Sequence, residues 1–352
     1  MKNISLAFVT IISLTLFSCD KEDSEVKVET DYTKTLSNLG NNVIIQTYFD
    51  LKTKSSSLET ATNTFVSNAN STNLLSLKNA WLAARQPWEQ AEGFGFGPVD
   101  QDGIDPSVDS WPLNLTDLNA ILNGIIPINT AFVASQEGNL KGFHTAEFLI
   151  WGLDGNKTAT DFTSRELSYL KATSANLAID TNVLYNLWIP SGQNFVTNFV
   201  NAGNTSSTYT SQKVTLKDLT DAIIGITDEL ANNKIDGSFA ANDATLMESR
   251  FSDNSSIDFI NNITSVKNIY FGTYYTNGNS FGLYKVINSK DPATNYKVKT
   301  QINEAIVAIQ AIPASFKQAI ASNRDIVANA QTKLRALQET LETKVTPIIE
   351  GL

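Results

Sequence analysis

Residues 301–345 read QINEAIVAIQ AIPASFKQAI ASNRDIVANA QTKLRALQET LETKV. Apolar side chains recur there at intervals of three and four: Ile302, Ile306, Ile309, Ile312, Phe316 and Ile320, then Ile326, Ala330, Leu334, Leu337, Leu341 and Val345. That spacing draws one apolar stripe along a helix and is out of phase with a strand. Pro313 lacks an N–H and is expected to kink the first run, and Asn323 is placed to cap the second. The same period runs through Tyr32, Leu36, Leu39, Val43 and Tyr48, through Leu74, Leu77, Trp81, Ala84, Trp88 and Ala91, and through Leu216, Leu219, Ile223, Ile226 and Leu230. Alternating runs are few, and no Gly-x-Gly-x-x-Gly or phosphate loop occurs. The fold class is all-α.

Working outward, the Ser/Thr/Asn/Gly-rich segment 201–212 divides the chain into two helical-bundle halves, 32–200 and 213–352. Segments 93–112 and 272–280 read as irregular connections, the first with four glycines and four aspartates. At the N-terminus, Lys2 precedes an apolar run from Ile4 to Phe17 and then Leu16-Phe17-Ser18-Cys19. This is the pattern of a signal peptide over 1–18, too short to span a membrane, ending in a lipobox whose Cys19 becomes acylated. Residues 19–31 are polar and form a flexible tether. Acylation of the sole cysteine leaves no disulfide and anchors the protein to a bilayer without spanning it. The expected location is the outer membrane. Lys21-Glu22-Asp23 resembles a surface-export signal, so the cell surface is favoured over the periplasmic face.

The formal net charge is −10, and removing residues 1–18 takes away only Lys2. An acidic chain with no basic cluster argues against nucleic acid and is compatible with collecting cations.

The stretch 142–152 holds the only histidine, His144, with Glu147 three residues on. On a helix the two share a face and form half of a metal site. Asp161 reads as a helix cap before Phe162, or as a further ligand across the loop from Glu147. Arg165 could orient a carboxylate or lie in solvent. Arg85 and Glu89, four apart beside Trp81 and Trp88, read as a helix-surface pair over two core tryptophans. Glu248, taken alone, reads as surface, and Ser255-Ser256-Ile257-Asp258 as a cap signature.

Gly142-x-His144-x-x-Glu147, the Trp81…Arg85…Trp88-Glu89 segment, and Glu248-Ser249-Arg250-Phe251-Ser252 with Asp258 and Gly272 together resemble the imelysin-like family, from about Tyr32 to Leu352. The resemblance implies two helical bundles with a site between them, in bacterial surface and periplasmic proteins linked to iron uptake. It implies metal ligands at His144, Glu147, Asp161 and Glu248, with Arg85, Trp88, Glu89, Arg165, Arg250 and Ser252 around them. The founding member's description as a metallopeptidase is also carried by the resemblance.

A His-Glu-x-x-His zinc peptidase needs two histidines, and here one histidine exists and residue 148 is Phe. One imidazole with carboxylates is a hard, oxygen-rich set, suited to iron, calcium, manganese or magnesium, although zinc and copper also bind such donors. The function expected is capture of a metal ion, iron or an iron chelate, beside an outer-membrane importer. A metallopeptidase, or a surface module binding protein or glycan, is the alternative.

Overall fold

Leu216, Leu219 and Ile223 are fully buried along one face of the helix Gln212–Glu229, as their spacing predicts. Each such side chain removed from water contributes roughly 1.5–3 kcal/mol. The computed structural model describes residues 31–101, 103–275 and 281–352. The predicted signal peptide, Cys19 and nearly all of the tether lie outside them. Tyr32–Leu352 make one unit with a continuous apolar core, and among the described residues the structure is helical with no strand.

The helices that matter for the site are α1 (Ile45–Ser67), α2 (Ser71–Glu89), α3 (Ile104–Asp109), α4 (Gly142–Trp151), α5 (Ser164–Trp188), α6 (Gln212–Glu229), α7 (Ser255–Phe271), α8 (Pro292–Gln310) and α9 (Arg324–Thr340). In the first half α1 packs against α2 and α5, while α4 lies on α5 and α2 and the short α3 wedges against α4 and α5. In the second half α8 packs on α9 and α7, and α6 on α7 and α9. The two sets meet where α2 and the tight turn Glu92–Phe94 pack on α7.

Caps fix several ends. Asn70 accepts from Asn73 N at 2.9 Å to start α2, and Asp291 accepts from Ala293 N and Thr294 N before Pro292 to start α8. Thr163 and Glu166 form a capping box at α5. Pro313 lies in a break between α8 and the helix Phe316–Ser322, so the expected kink is a full interruption. Asn323 stands at the N-cap position of α9 without capping it through its side chain. Three wide π-turns, Leu39–Ile44, Leu230–Ile235 and Leu341–Val345, interrupt the long helices. In the second, the carbonyl of buried Ala231 accepts from Gln331 Nε2 at 3.0 Å.

Candidate metal centre

Gly142 decides where the histidine goes. Its φ is +75°, which favours glycine, and a Cβ there would collide with the Val108 carbonyl. The bare backbone lets α4 begin hard against the end of α3, so His144 in the first turn of α4 faces Asp109, the last residue of α3. Trp81 Nε1 donates to the Phe143 carbonyl at 3.0 Å and ties the same turn to α2.

His144 is buried, with Nε2 3.1 Å from Asp109 Oδ1 and 3.8 Å from Glu248 Oε1. Ligand atoms from Asp109, His144 and Glu248 all lie within 4.8 Å of one another. Such a spread suits ion–ligand distances of about 2.0–2.6 Å with little movement. Nε2 is not aligned with any acceptor as a hydrogen bond, and the buried Glu248 Oε2 has no hydrogen-bond partner. Buried polar atoms left this way are uncommon and call for a ligand or a role.

Glu147 lies on the other side of the ring. Its Oε2 is 3.3 Å from Nδ1, while its Oε1 accepts from Phe251 N at 3.1 Å, Ser252 N at 2.8 Å and Ser252 Oγ at 2.7 Å. A carboxylate at Nδ1 holds a proton there, so that when the imidazole is neutral its Nε2 lone pair faces Asp109 and Glu248. Sequence spacing made Glu147 a fellow ligand. In the structure its Oε2 faces Nδ1, the ring nitrogen opposite the one that meets Asp109 and Glu248.

Around the three sits a buried ionic network. Arg85, fully buried, joins Asp109 and Glu89 and reaches Glu248 Oε1 at 2.7 Å and Asp258 Oδ1 at 3.7 Å. Lys234, on the π-turn, contacts Glu92 and Glu248 at 3.0 Å and Glu89 at 3.6 Å. Trp88 Nε1 donates to Asp109 Oδ2 at 2.6 Å, Ser249 Oγ to Asp258 Oδ2 at 2.5 Å, and Asn262 Nδ2 to Glu89 Oε2 at 2.6 Å. Six carboxylates (Glu89, Glu92, Asp109, Glu147, Glu248, Asp258) thus face two permanent cations, a deficit of four charges before His144 is counted. Desolvated like charges are costly, so the network must gather protons or a cation.

The acid–base properties follow. Burial lowers His144, but the Asp109 charge together with the contacts of the ring to Asp109 and Glu147 outweighs it and raises the imidazole well above its ordinary range. Burial raises Glu248, yet Lys234 and Arg85 pull it well below the usual carboxylate range, and Arg85 and His144 pull Asp109 down against its own burial. Burial and the Glu89 charge push Glu92 and Asp258 well up. Asp105, in the wall of the adjoining cavity, is pushed up to about 6 by desolvation and by Asp109 and Glu229.

Of the residues singled out in the sequence, the fold brings together His144, Glu147, Glu248, Arg85, Trp88, Glu89 and Ser252. Arg85 and Glu89 correct the surface-pair reading, being wholly buried, and Glu248 corrects the surface reading at 4 % exposure. Asp161 is outside the cluster. It is exposed and accepts from Thr158 N and Oγ1 at 2.8 and 2.7 Å, while Thr163 takes the capping role expected of it. Arg165 is also elsewhere, donating to the carbonyls of Leu122, Ile121 and Ile126. Arg250 stacks on Phe251 and donates to the Thr245 carbonyl rather than to a ligand. Asn254, not the following serines, stands at the start of α7. Asp109, Glu92, Lys234 and Asp258 were not identified as site residues. The one sequence hint for Asp109 is its spacing of four from Asp105, with buried Ile104 and Val108 between turns.

Comparison with known proteins follows the same outline. The family model described as Imelysin, under the name Peptidase M75, matches residues 44–341. A curated relative, iron-regulated protein A of Synechococcus elongatus, is 27% identical over 321 residues, covering 90% of this chain and 86% of its own. A solved structure assigned to an iron-regulated protein A precursor of Parabacteroides distasonis superposes with TM-score 0.79 at 26% identity, covering 91% and 94% of the two chains. An imelysin-like protein of Psychrobacter arcticum shares the fold, with TM-score 0.75 at 12% identity over 91% and 95%.

Proposed function

Because the chain belongs to the imelysin family, we propose that it captures a metal ion, iron before others, through Asp109, His144 and Glu248. Glu147 acts as the positioning carboxylate behind the imidazole. The observation that carries this reading is the meeting of three buried ligand atoms with an unbonded His144 Nε2 and Glu248 Oε2. The charge deficit around them is what a cation would relieve. Carboxylate oxygens with one imidazole favour iron, manganese or calcium, and the iron-regulated name of the relatives favours iron among these. Zinc or copper would compete in vitro.

The setting we propose is an exported lipoprotein held by acylated Cys19 at the outer membrane, on the cell surface in preference to the periplasmic face. There it would pass iron, as ion or chelate, toward an importer. A peptidase reading is weaker because Glu147, the acid beside the histidine, has one oxygen engaged by three donors and is not free as a general base. The test is equilibrium binding of anaerobic Fe2+, Mn2+, Ca2+ and Zn2+ to the full folded domain, to Asp109→Asn and to His144→Ala, with circular dichroism on each. Binding that survives both substitutions in folded protein overturns the assignment.

A further inference from the structure

Two adjoining chambers lead toward the site. The outer, about 260 Å³, is lined by Glu92, Gly95, Asp100, Asp105, Gly225 and Glu229 among others. The inner, about 160 Å³, shares Glu92, Asp105 and Glu229 and adds Asp109, Lys234 and Glu248. The chambers therefore meet along three carboxylates. Gly95, Asp100, Asp105, Gly225 and Glu229 are exposed, which sets the outer chamber at the surface, whereas Lys234 and Glu248 are buried. Every charged side chain of the outer wall is acidic. The one cation of the inner wall is Lys234, 3.0 Å from Glu92 and from Glu248 Oε1. Glu248 is 4 % exposed, and its Oε2 has no hydrogen-bond partner.

Resting on the reading of Asp109, His144 and Glu248 as a cation site, we propose that these chambers are the path by which a divalent cation reaches it. Asp105 and Glu229 draw the ion in, and the Lys234 ammonium is the resident countercharge it displaces from Glu248. A low-dielectric cleft of one sign focuses its field and concentrates counter-ions. Successive carboxylates replace water around the ion step by step, so no fully bare cation has to cross the protein. Lys234 is tethered, so it can give up Glu248 and remain paired with Glu92. The space beside Gly225 in the outer wall is open, a Cβ there meeting nothing within 4 Å, so a long side chain at this position would have room to extend into the mouth.

The test follows anaerobic Fe2+ association by stopped-flow quenching of tryptophan fluorescence, Trp88 and Trp111 lying beside the site. The unaltered protein is compared with Asp105→Asn/Glu229→Gln, with Gly225→Leu, and with a control of equal charge loss, Glu137→Gln/Glu339→Gln. The acid-to-amide pair should slow association about tenfold or more and flatten its dependence on salt. Gly225→Leu should slow association and release together with Kd unchanged. Rates matching the control in both variants, with Fe2+ still lost on Asp109→Asn, overturn the path alone. No Fe2+ binding by the unaltered protein overturns the site reading and the path with it.

Discussion

Replacing Glu147 by glutamine separates a positioning role from a ligand role. The amide carbonyl can keep accepting from Phe251 N, Ser252 N and Ser252 Oγ, now 3.1, 2.8 and 2.7 Å from Oε1. The amide NH2 must then face His144 Nδ1, where Oε2 now sits 3.3 Å away. Two donors cannot face each other, so the neutral imidazole must move its proton to Nε2, and the lone pair toward Asp109 and Glu248 is lost. Loss of such an outer partner costs about 10–100-fold in metal affinity, or about 1.4–2.7 kcal/mol. Folding should weaken by only about 1 kcal/mol, because the acceptor remains. Calorimetric Fe2+ titration measures the first quantity and urea unfolding the second. Since the chain has one histidine, a 15N-histidine spectrum reads the tautomer without assignment. Unchanged affinity with the Nδ1-protonated tautomer retained would refute the reasoning. A loss as complete as that of His144→Ala would make Glu147 a ligand.

Asp161→Asn should leave metal affinity unchanged while Asp109→Asn abolishes it, a comparison made directly by equilibrium dialysis. Gly142→Ala forces a side chain into positive φ and against the Val108 carbonyl, so urea unfolding should show a loss of about 2–4 kcal/mol. Arg85→Met strips a buried cation from the carboxylate network and should cost about 3–5 kcal/mol in metal-free protein by the same measurement. Protonation gives a pH signature. Glu92 and Asp258 are raised by burial and the Glu89 charge, and His144 is raised against its burial by Asp109. In each the folded form binds its proton more tightly than the unfolded chain. The stability they add is complete below about pH 4 for the acids and about 6.5 for the imidazole, and is lost as pH rises through the raised folded values. Asp109 and Glu248, both lowered, act oppositely, losing stability only as pH falls below about 4. Scanning calorimetry of metal-free protein should therefore show Tm falling as pH rises above about 6.5, and saturating metal should flatten that fall and release protons.

The helices were legible because burial on one face leaves a 3.6-residue signature, as in Leu216, Leu219 and Ile223. His144 and Glu147 were legible for the same local reason, a shared helix face. What spacing does not say is which nitrogen each partner will meet: Glu147 meets Nδ1, and Asp109 meets Nε2. Asp109 was hidden because its meeting with His144 depends on Gly142 approaching the backbone of Val108, a contact between segments more than thirty residues apart. Arg85 and Glu89 looked like a solvated pair because each charge, taken alone, belongs in water. Only the arrival of Asp109 and Asp258 from other helices and of Glu248 from a turn makes burial tolerable. Asp161 illustrates the opposite error: nearness in sequence to the motif suggested a ligand, and its own turn satisfies it.

The wide turn at Leu230–Ile235 gives residue number, and not only residue identity, a part in setting the charge of the interior. Deleting one position there would restore regular winding and swing every later side chain by about 100° around the axis. The Lys234 ammonium would leave its acids, and Gln331 would lose the carbonyl it now meets. Loss of a single codon there would therefore withdraw a positive charge from the centre while Glu89 and Glu92, which precede the turn, stay in place.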